Sequence, residues 1–248
     1  MGNEVRFFTN KTMFEKIKKR YALNNSYFKN KRPQDPQDPF EVFGYVKQHN
    51  ELPYNLDLTD NWLYECFTEY QKRNTEYKFN EQFFTPPKTS KRMRDLLEEY
   101  MSDDYLNDVY LFDMCCGYGQ LSVNYPNNKL ISHGIDVDEK LCKLYEKFTG
   151  SQSTCIDFKD YNKKERNIIA NPPYSVNKLT AFLEKLYEIL EDDGIAVILI
   201  PEGFFEKEKP KATKEIINKF KVLYREDMEE SFARTNTNAE ICVIKKDL

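Results

Sequence analysis

No apolar run in this 248-residue chain is long enough to cross a bilayer. The longest, residues 194–201, falls far short of the roughly 20 residues a spanning helix needs. The opening Met1-Gly2-Asn3-Glu4-Val5-Arg6 is followed by no signal-type apolar stretch, so a soluble cytoplasmic protein with no membrane partner is expected. None of the six cysteines (Cys66, Cys115, Cys116, Cys142, Cys155, Cys242) stands in a C-x-x-C pair, and the only histidines are His49 and His133. That supply and spacing do not make a zinc site, and the thiols read as reduced side chains packing like small apolar groups. The net charge of -4 lacks the basic excess of a general nucleic-acid binder. Its distribution is uneven, however. Residues 1–32 hold nine Lys/Arg against two Asp/Glu, residues 33–80 four against nine, and residues 203–225 seven against three. Local basic patches can neutralise phosphates on an acidic protein, although a solvated lysine-rich helix face gives the same counts. Domain-scale repeats are also missing.

What is present is a foldable chain. Hydrophobic residues make up 40% and aromatics 15%, which excludes wholesale disorder and leaves ample material for a core. One compositional break stands out: Pro33-Gln34-Asp35-Pro36-Gln37-Asp38-Pro39. Three prolines at a spacing of three forbid a helix and favour an extended linker. Helical patterning covers 13–28 before it and 40–48 and 60–74 after it, with Thr59 or Asp60 as a cap for the last. Residues 1–80 therefore read as a helical N-terminal region with a Pro-rich linker at 33–39. Residues 81–248 read as a second unit in which strands and helices alternate. Strands are expected at 109–113, 130–135, 153–157, 167–170 and 195–200, with closing strands at 221–229 and 240–245. Helices are expected at 91–100, 138–148, 178–191 and 211–221. The run 195–200 has no polar alternation, as a strand buried on both faces requires. The class is α/β, with a doubly wound, mostly parallel seven-stranded sheet.

Three segments carry chemistry. In Asp113-Met114-Cys115-Cys116-Gly117-Tyr118-Gly119-Gln120 an apolar strand runs into a G-x-G turn, where the backbone can bend sharply and approach a ligand. Asp136 ends the next strand, where an acid can accept both ribose hydroxyls of a nucleoside; capping of the helix near Asp138 is the plainer alternative. Where a dinucleotide fingerprint has its third glycine, this chain has Ser122, so a pyrophosphate cradle is not supported. An adenosine-bearing cofactor without phosphate fits better, and S-adenosylmethionine is such a cofactor. The third segment, Asn171-Pro172-Pro173-Tyr174, follows the strand at 167–170. Two prolines stiffen the corner and offer carbonyls without N–H donors. The Asn171 side-chain oxygen and the Pro172 carbonyl can converge on one external NH2 group, while Tyr174 offers a flat face for stacking.

On these residues the chain resembles the gamma-type DNA adenine-N6 methyltransferases of restriction–modification systems, a Rossmann-like class I fold. Asn171-Pro172-Pro173-Tyr174 matches their catalytic motif, and Asp113-x-Cys115-x-Gly117-x-Gly119 is similar to their cofactor loop. Phe84-Thr85-Pro86-Pro87, ahead of the helix at 91–100, resembles the element that precedes that loop. Cys155-Ile156-Asp157-Phe158 matches their third-strand acid. The resemblance covers about residues 80–248. It implies that Thr85 holds the methionine carboxylate, that Asp113 faces the methionine amino group and that Asp136 takes the ribose. It further implies that Asp157 accepts from the adenine amine, with Val137 and Phe158 flanking that ring. Phe232 falls where the family has a second wall of the base pocket. The expected partner is duplex DNA with a flipped adenine, with Lys207, Lys209 and Lys211 as phosphate contacts and a specificity or endonuclease subunit as a further partner. The family usually carries a separate target-recognition domain after the catalytic one, and none is expected within residues 81–248, which leaves the target open. RNA adenine, cytosine N4, a protein glutamine amide and a non-catalytic nucleic-acid-binding subunit remain alternatives.

Overall fold

The computed structural model describes residues 83–101, 109–122, 130–228 and 238–248. The helices expected in 1–80, the linker at 33–39 and Phe232 lie outside these residues. The described chain runs α1 (Pro87–Tyr100), β1 (Val109–Met114), β2 (Leu130–Asp136), α2 (Glu139–Thr149), β3 (Gln152–Cys155), a 3-10 turn (Phe158–Asp160), β4 (Glu165–Ala170), α3 (Val176–Ile189), β5 (Leu190–Pro201), α4 (Lys211–Ile217), β6 (Phe220–Asp227) and β7 (Ala239–Lys246).

The strands form one seven-stranded sheet in the order β3-β2-β1-β4-β5-β7-β6. The first five strands are parallel to their neighbours, and β7 runs antiparallel between β5 and β6. This is the Rossmann-like, doubly wound architecture that the alternation of elements predicts. The burial of β5 shows why its sequence does not alternate. Ile195, Val197 and Leu199 pack into one apolar cluster with Met93, Leu96 and Leu97 of α1. Ala196, Ile198 and Ile200 pack into the opposite cluster with Leu179, Phe182 and Leu186 of α3 and Ile216 of α4. Both faces are covered by helices over residues 195–200, so every side chain of that stretch is apolar. Burial of this kind contributes about 25 cal/mol per Å² of apolar surface.

Most boundaries shift by one or two residues and α1 begins four residues early, at Pro87; three other differences have a clear structural reason. β5 begins at Leu190, which pairs with Glu165; the register then steps to Asn167 opposite Ile195, so the charged segment 191–193 bulges from β5 between the two pairs. α4 stops at Ile217, and β6 takes over at Phe220, where a buried aromatic continues the sheet face. β3 ends at Cys155, so Asp157 is not a strand residue; its side chain caps the 3-10 turn by accepting from Lys159 N–H at 3.0 Å.

Strand order reverses between β1 and β4. In open parallel sheets, ligands bind in the crevice outside the carboxyl ends of strands at such a switch point. The segments singled out in the sequence all follow those ends: Met114 of β1, Asp136 of β2, Cys155 of β3 and Ala170 of β4.

Candidate nucleoside and amine site

At that switch point lies a cavity of about 410 Å³, within the usual size range of small-molecule sites. Its walls include Phe84, Thr85, Cys115, Gly117, Asp136, Val137, Asp157, Phe158, Asn171 and Pro173. Ten sequence-selected positions from four strand ends and the segment before α1 thus share one space. Phe83, Tyr118, Ile156, Lys159 and Lys178 line it as well, and none had been selected. Tyr118 and Ile156 sit within the quoted motifs, but neither carries a polar pattern that marks it.

The loop after β1 turns through left-handed backbone. Cys115 has φ 72°, Gly117 φ 54° and Gly119 φ 96°. The sharpest departure for a residue with a side chain is therefore at Cys115, which the glycine pattern did not single out. Gly119 is required by packing rather than by a ligand. A Cβ there would stand 2.7 Å from Thr149 Cγ2 and 3.2 Å from Tyr145 Cδ2. It accordingly does not line the cavity, whereas Gly117 does. The loop is pinned from behind by α1, since Ser90 Oγ (2.5 Å) and Arg94 Nη1 (3.2 Å) both donate to Gln120 O.

Asp136 is held by the backbone on both oxygens. Gly117 N–H donates to Oδ2 and Asp138 N–H to Oδ1, each at 3.0 Å. The helix cap is a different residue, Asp138, whose Oδ1 accepts from Lys140 N–H at 2.9 Å and Leu141 N–H at 3.4 Å. Burial pushes the Asp136 carboxyl up to about 6, and the backbone donors act against that rise. Near neutrality it is an ionised acceptor with lone pairs remaining for hydroxyl donors. Phe158 is braced edge-on by Phe182 of α3 at 5.7 Å, and Phe84 packs edge-on against Tyr118 at 4.8 Å. Val137 is half exposed, an apolar surface opposite Phe158 on the cavity wall.

Asn171 is positioned by residues far away in the chain. Its Nδ2 donates to Phe83 O at 2.7 Å and to Thr85 Oγ1 at 3.1 Å. Phe83 O can only accept, so the NH2 faces it, and both amide hydrogens are engaged. Oδ1 is the group this side chain has left for a ligand.

Other candidates stand elsewhere. Asp113, expected to face the methionine amino group, is fully buried and is not among the residues that line the cavity. Strand parity is the reason: Asp113 shares the α1 face of β1 with Leu111. Its Oδ2 accepts from Ser122 Oγ at 2.6 Å, and among the described residues its Oδ1 has no hydrogen-bond partner. Desolvation, with a smaller contribution from Asp136, raises its carboxyl to about 7. Pro86 and Pro172 are buried outside the cavity walls. Tyr174 packs against the α1-side core with Phe83 and Tyr100 instead of lining the cavity. The lysines after β5 lie at the surface, Lys207 and Lys211 exposed, each with a contact of its own. Lys207 Nζ donates to Glu202 O at 2.6 Å, Lys209 sits 4.6 Å over the Phe204 ring, and Lys211 is 3.7 Å from Glu215. Among the described residues, no group of His, Cys, Asp and Glu is placed to hold a metal ion, and no helix is long and apolar enough to cross a membrane.

No protein-family model matches the chain, and no curated protein matches it. Solved structures do. A type I restriction-modification methyltransferase subunit from Streptococcus thermophilus superposes with a TM-score of 0.56 at 16% identity, over 78% of this chain and 52% of the subunit, about half its length. A Pyrococcus horikoshii protein provisionally assigned as an RNA methyltransferase gives 0.55 at 18% identity, over 68% of this chain and 88% of that one. Magnesium protoporphyrin IX methyltransferase from Synechocystis, solved with bound S-adenosylmethionine, gives 0.50 at 14% identity, over 64% and 79%. Those three proteins have unlike targets, so what the chain shares with them is the fold of class I methyltransferases.

Proposed function

We propose that this chain is an S-adenosylmethionine-dependent methyltransferase acting on an exocyclic amino nitrogen, and that its target is adenine N6 in DNA. The observation that carries the reading is the Asn171 amide, whose two hydrogens are committed to Phe83 O and Thr85 Oγ1 so that Oδ1 serves as acceptor at the cavity. A corner presenting acceptors suits an NH2 group, which has two hydrogens to donate.

The residues present fit the cofactor. Asp136 supplies a fixed acceptor for ribose hydroxyls, Val137 and Phe158 supply apolar walls for a flat ring, and Asp157 stands beside them as an acceptor for an adenine amine. When bound, S-adenosylmethionine contributes an electrophilic methyl group on a sulfonium. The chain's part is to bind, orient and polarise. An adenine N6 lone pair is delocalised into its ring and is a poor nucleophile. Hydrogen bonds from the amine to Asn171 Oδ1 and, once the corner shifts to bring it to the cavity, to Pro172 O would draw the nitrogen toward tetrahedral geometry and localise that lone pair. Holding two reactants in line is worth on the order of 7–11 kcal/mol. The nitrogen becomes acidic on methylation, so its proton leaves without a strong base. In duplex DNA the base flips out first, at a cost of a few kcal/mol. Stacking on Tyr174 then requires the ring to leave the α1-side core.

DNA is favoured among targets by the order of motifs, with Phe84-Thr85-Pro86-Pro87 ahead of the cofactor loop and Asn171-Pro172-Pro173-Tyr174 after it. The similarity to a restriction-modification subunit agrees with that choice, and a separate specificity subunit would supply the recognition surface. The test incubates the purified chain and radiolabelled methyl donor with plasmid DNA, total RNA and cell protein in parallel. Label recovered as N6-methyladenine in the DNA supports the assignment. Label confined to RNA or to protein glutamine moves the target while keeping the chemistry, and no label in any pool removes both.

A further inference from the structure

Thr85 stands between the two halves of the site. It is 3% exposed and lines the cavity, and its Oγ1 accepts from Asn171 Nδ2 at 3.1 Å. A hydroxyl has one hydrogen and two lone pairs. With one lone pair taken by Asn171, the hydrogen remains to donate, and no acceptor among the described residues takes it. Such a donor on the wall of a cavity suits an anionic ligand oxygen. Meanwhile Phe83 O holds the other Asn171 hydrogen at 2.7 Å, so the amide plane is fixed and only its polarisation can vary.

We infer that Thr85 is a positioning residue linking occupancy by a carboxylate-bearing ligand to the acceptor strength of Asn171. An anion that takes the Thr85 hydrogen makes its oxygen a stronger acceptor for Asn171 Nδ2. Hydrogen bonds in such a chain polarise one another. The amide then carries more negative charge on Oδ1, the atom that meets the target amine. Cofactor and amine binding are thereby coupled, and the coupling is reciprocal. The inference rests on the proposed cofactor and amine roles of the cavity, and it adds that the adenosine part of the ligand alone does not ready the amine pocket.

Two probes separate the parts. S-Adenosylhomocysteine carries adenosine and the carboxylate; 5′-methylthioadenosine carries adenosine without it. The readout is the side-chain amide of Asn171 in the 15N-labelled full chain, assigned with Asn171→Ser, through its nitrogen shift and proton exchange rate. S-Adenosylhomocysteine is expected to shift the resonance and slow exchange at least about five-fold, the low end of typical coupling. Methylthioadenosine is expected to bind and leave both unchanged. Thr85→Val should abolish the response to S-adenosylhomocysteine while methylthioadenosine binds as in the wild type, and Thr85→Ser should restore it. Identical spectra with the two nucleosides, or an undiminished response in Thr85→Val, overturn the coupling alone. Binding of neither nucleoside by calorimetry overturns the cofactor assignment and the coupling with it. The two-ligand comparison needs only the wild-type chain, so it stands even if Thr85→Val does not fold.

Discussion

The two sides of the cavity are built differently. On the β2–β3 side the acceptor is locked by main-chain donors: Asp136 takes the N–H groups of Gly117 and Asp138, and the loop before it is tied to α1 through Gln120 O. On the β4–β5 side the acceptor is set by one side chain held from a distant segment, and the surrounding side chains rest on other parts of the protein, the lysines at its surface. Tyr174 sits against the α1-side core, and Lys207, Lys209 and Lys211 each meet an internal partner. The difference is physical. Backbone N–H groups near a turn are fixed by the turn itself, whereas aromatic and lysine side chains settle on whatever apolar or anionic surface is nearest. The β2–β3 side, the proposed nucleoside site, is thus preorganised, and the proposed amine side would have to rearrange to take a target. Preorganised sites save the cost of ordering groups on binding.

Several variants would break or sharpen that contrast. The largest effect belongs to Asn171→Ala, which should lower methyl transfer by at least about a hundred-fold, as loss of one transition-state hydrogen-bonding group does. S-Adenosylhomocysteine affinity, measured by calorimetry, should stay within a few-fold of wild type. Equal losses in both measurements would erase the division into two sides. Next is Asp136→Asn, expected to weaken S-adenosylhomocysteine by roughly ten- to a hundred-fold, since a hydrogen bond to a charged group is worth about 1.5–3 kcal/mol. Unchanged affinity would show that the locked carboxylate does not meet the ligand.

A smaller effect is expected at Tyr174. Replacement by Ala should cut single-turnover transfer about ten-fold, in line with roughly 1–3 kcal/mol for stacking a base, and Phe should retain most of the rate. Matching losses in Ala and Phe would point to the hydroxyl rather than the ring. The smallest concerns pH. Asp113 and Asp136 are raised to about 7 and about 6, above their unfolded values, chiefly by burial. Their protonated forms favour the fold, so that stability is present at low pH and is lost as pH rises through those values. The ligand-free melting temperature should therefore fall between pH 5 and pH 8 and recover in part on ligand binding. Asp113→Asn should flatten the curve, and a curve of unchanged slope in that variant would contradict the buried-carboxylate account.

Much of this molecule was legible from local pattern. The strand run 195–200, the G-x-G turn and the acid at 136 each report on their own few residues, because burial on two faces, turn geometry and strand ends leave marks at short range. Asp157 lines the cavity but closes a 3-10 turn instead of ending a strand, and a carboxylate in either place looks the same in sequence. The start of β5 was missed for a similar reason: the charged bulge at 191–193 reads as a loop. The loop motif does not reveal which way its members face: Asp113 lies on the α1 face of β1, and Gly119 fits under Tyr145 and Thr149.

Local pattern along the chain settles that the sheet is mostly parallel and covered on both sides, and it puts chemically useful residue types at successive strand ends. Those facts follow from side-chain periodicity and turn chemistry, which act over neighbouring residues. Only the tertiary structure decided which of those residues look into the cavity, and which atom of Asn171 is left for a ligand. The groups that fix its amide, Phe83 O and Thr85 Oγ1, lie 88 and 86 residues away in the chain, and no local pattern can record a hydrogen bond made across that distance.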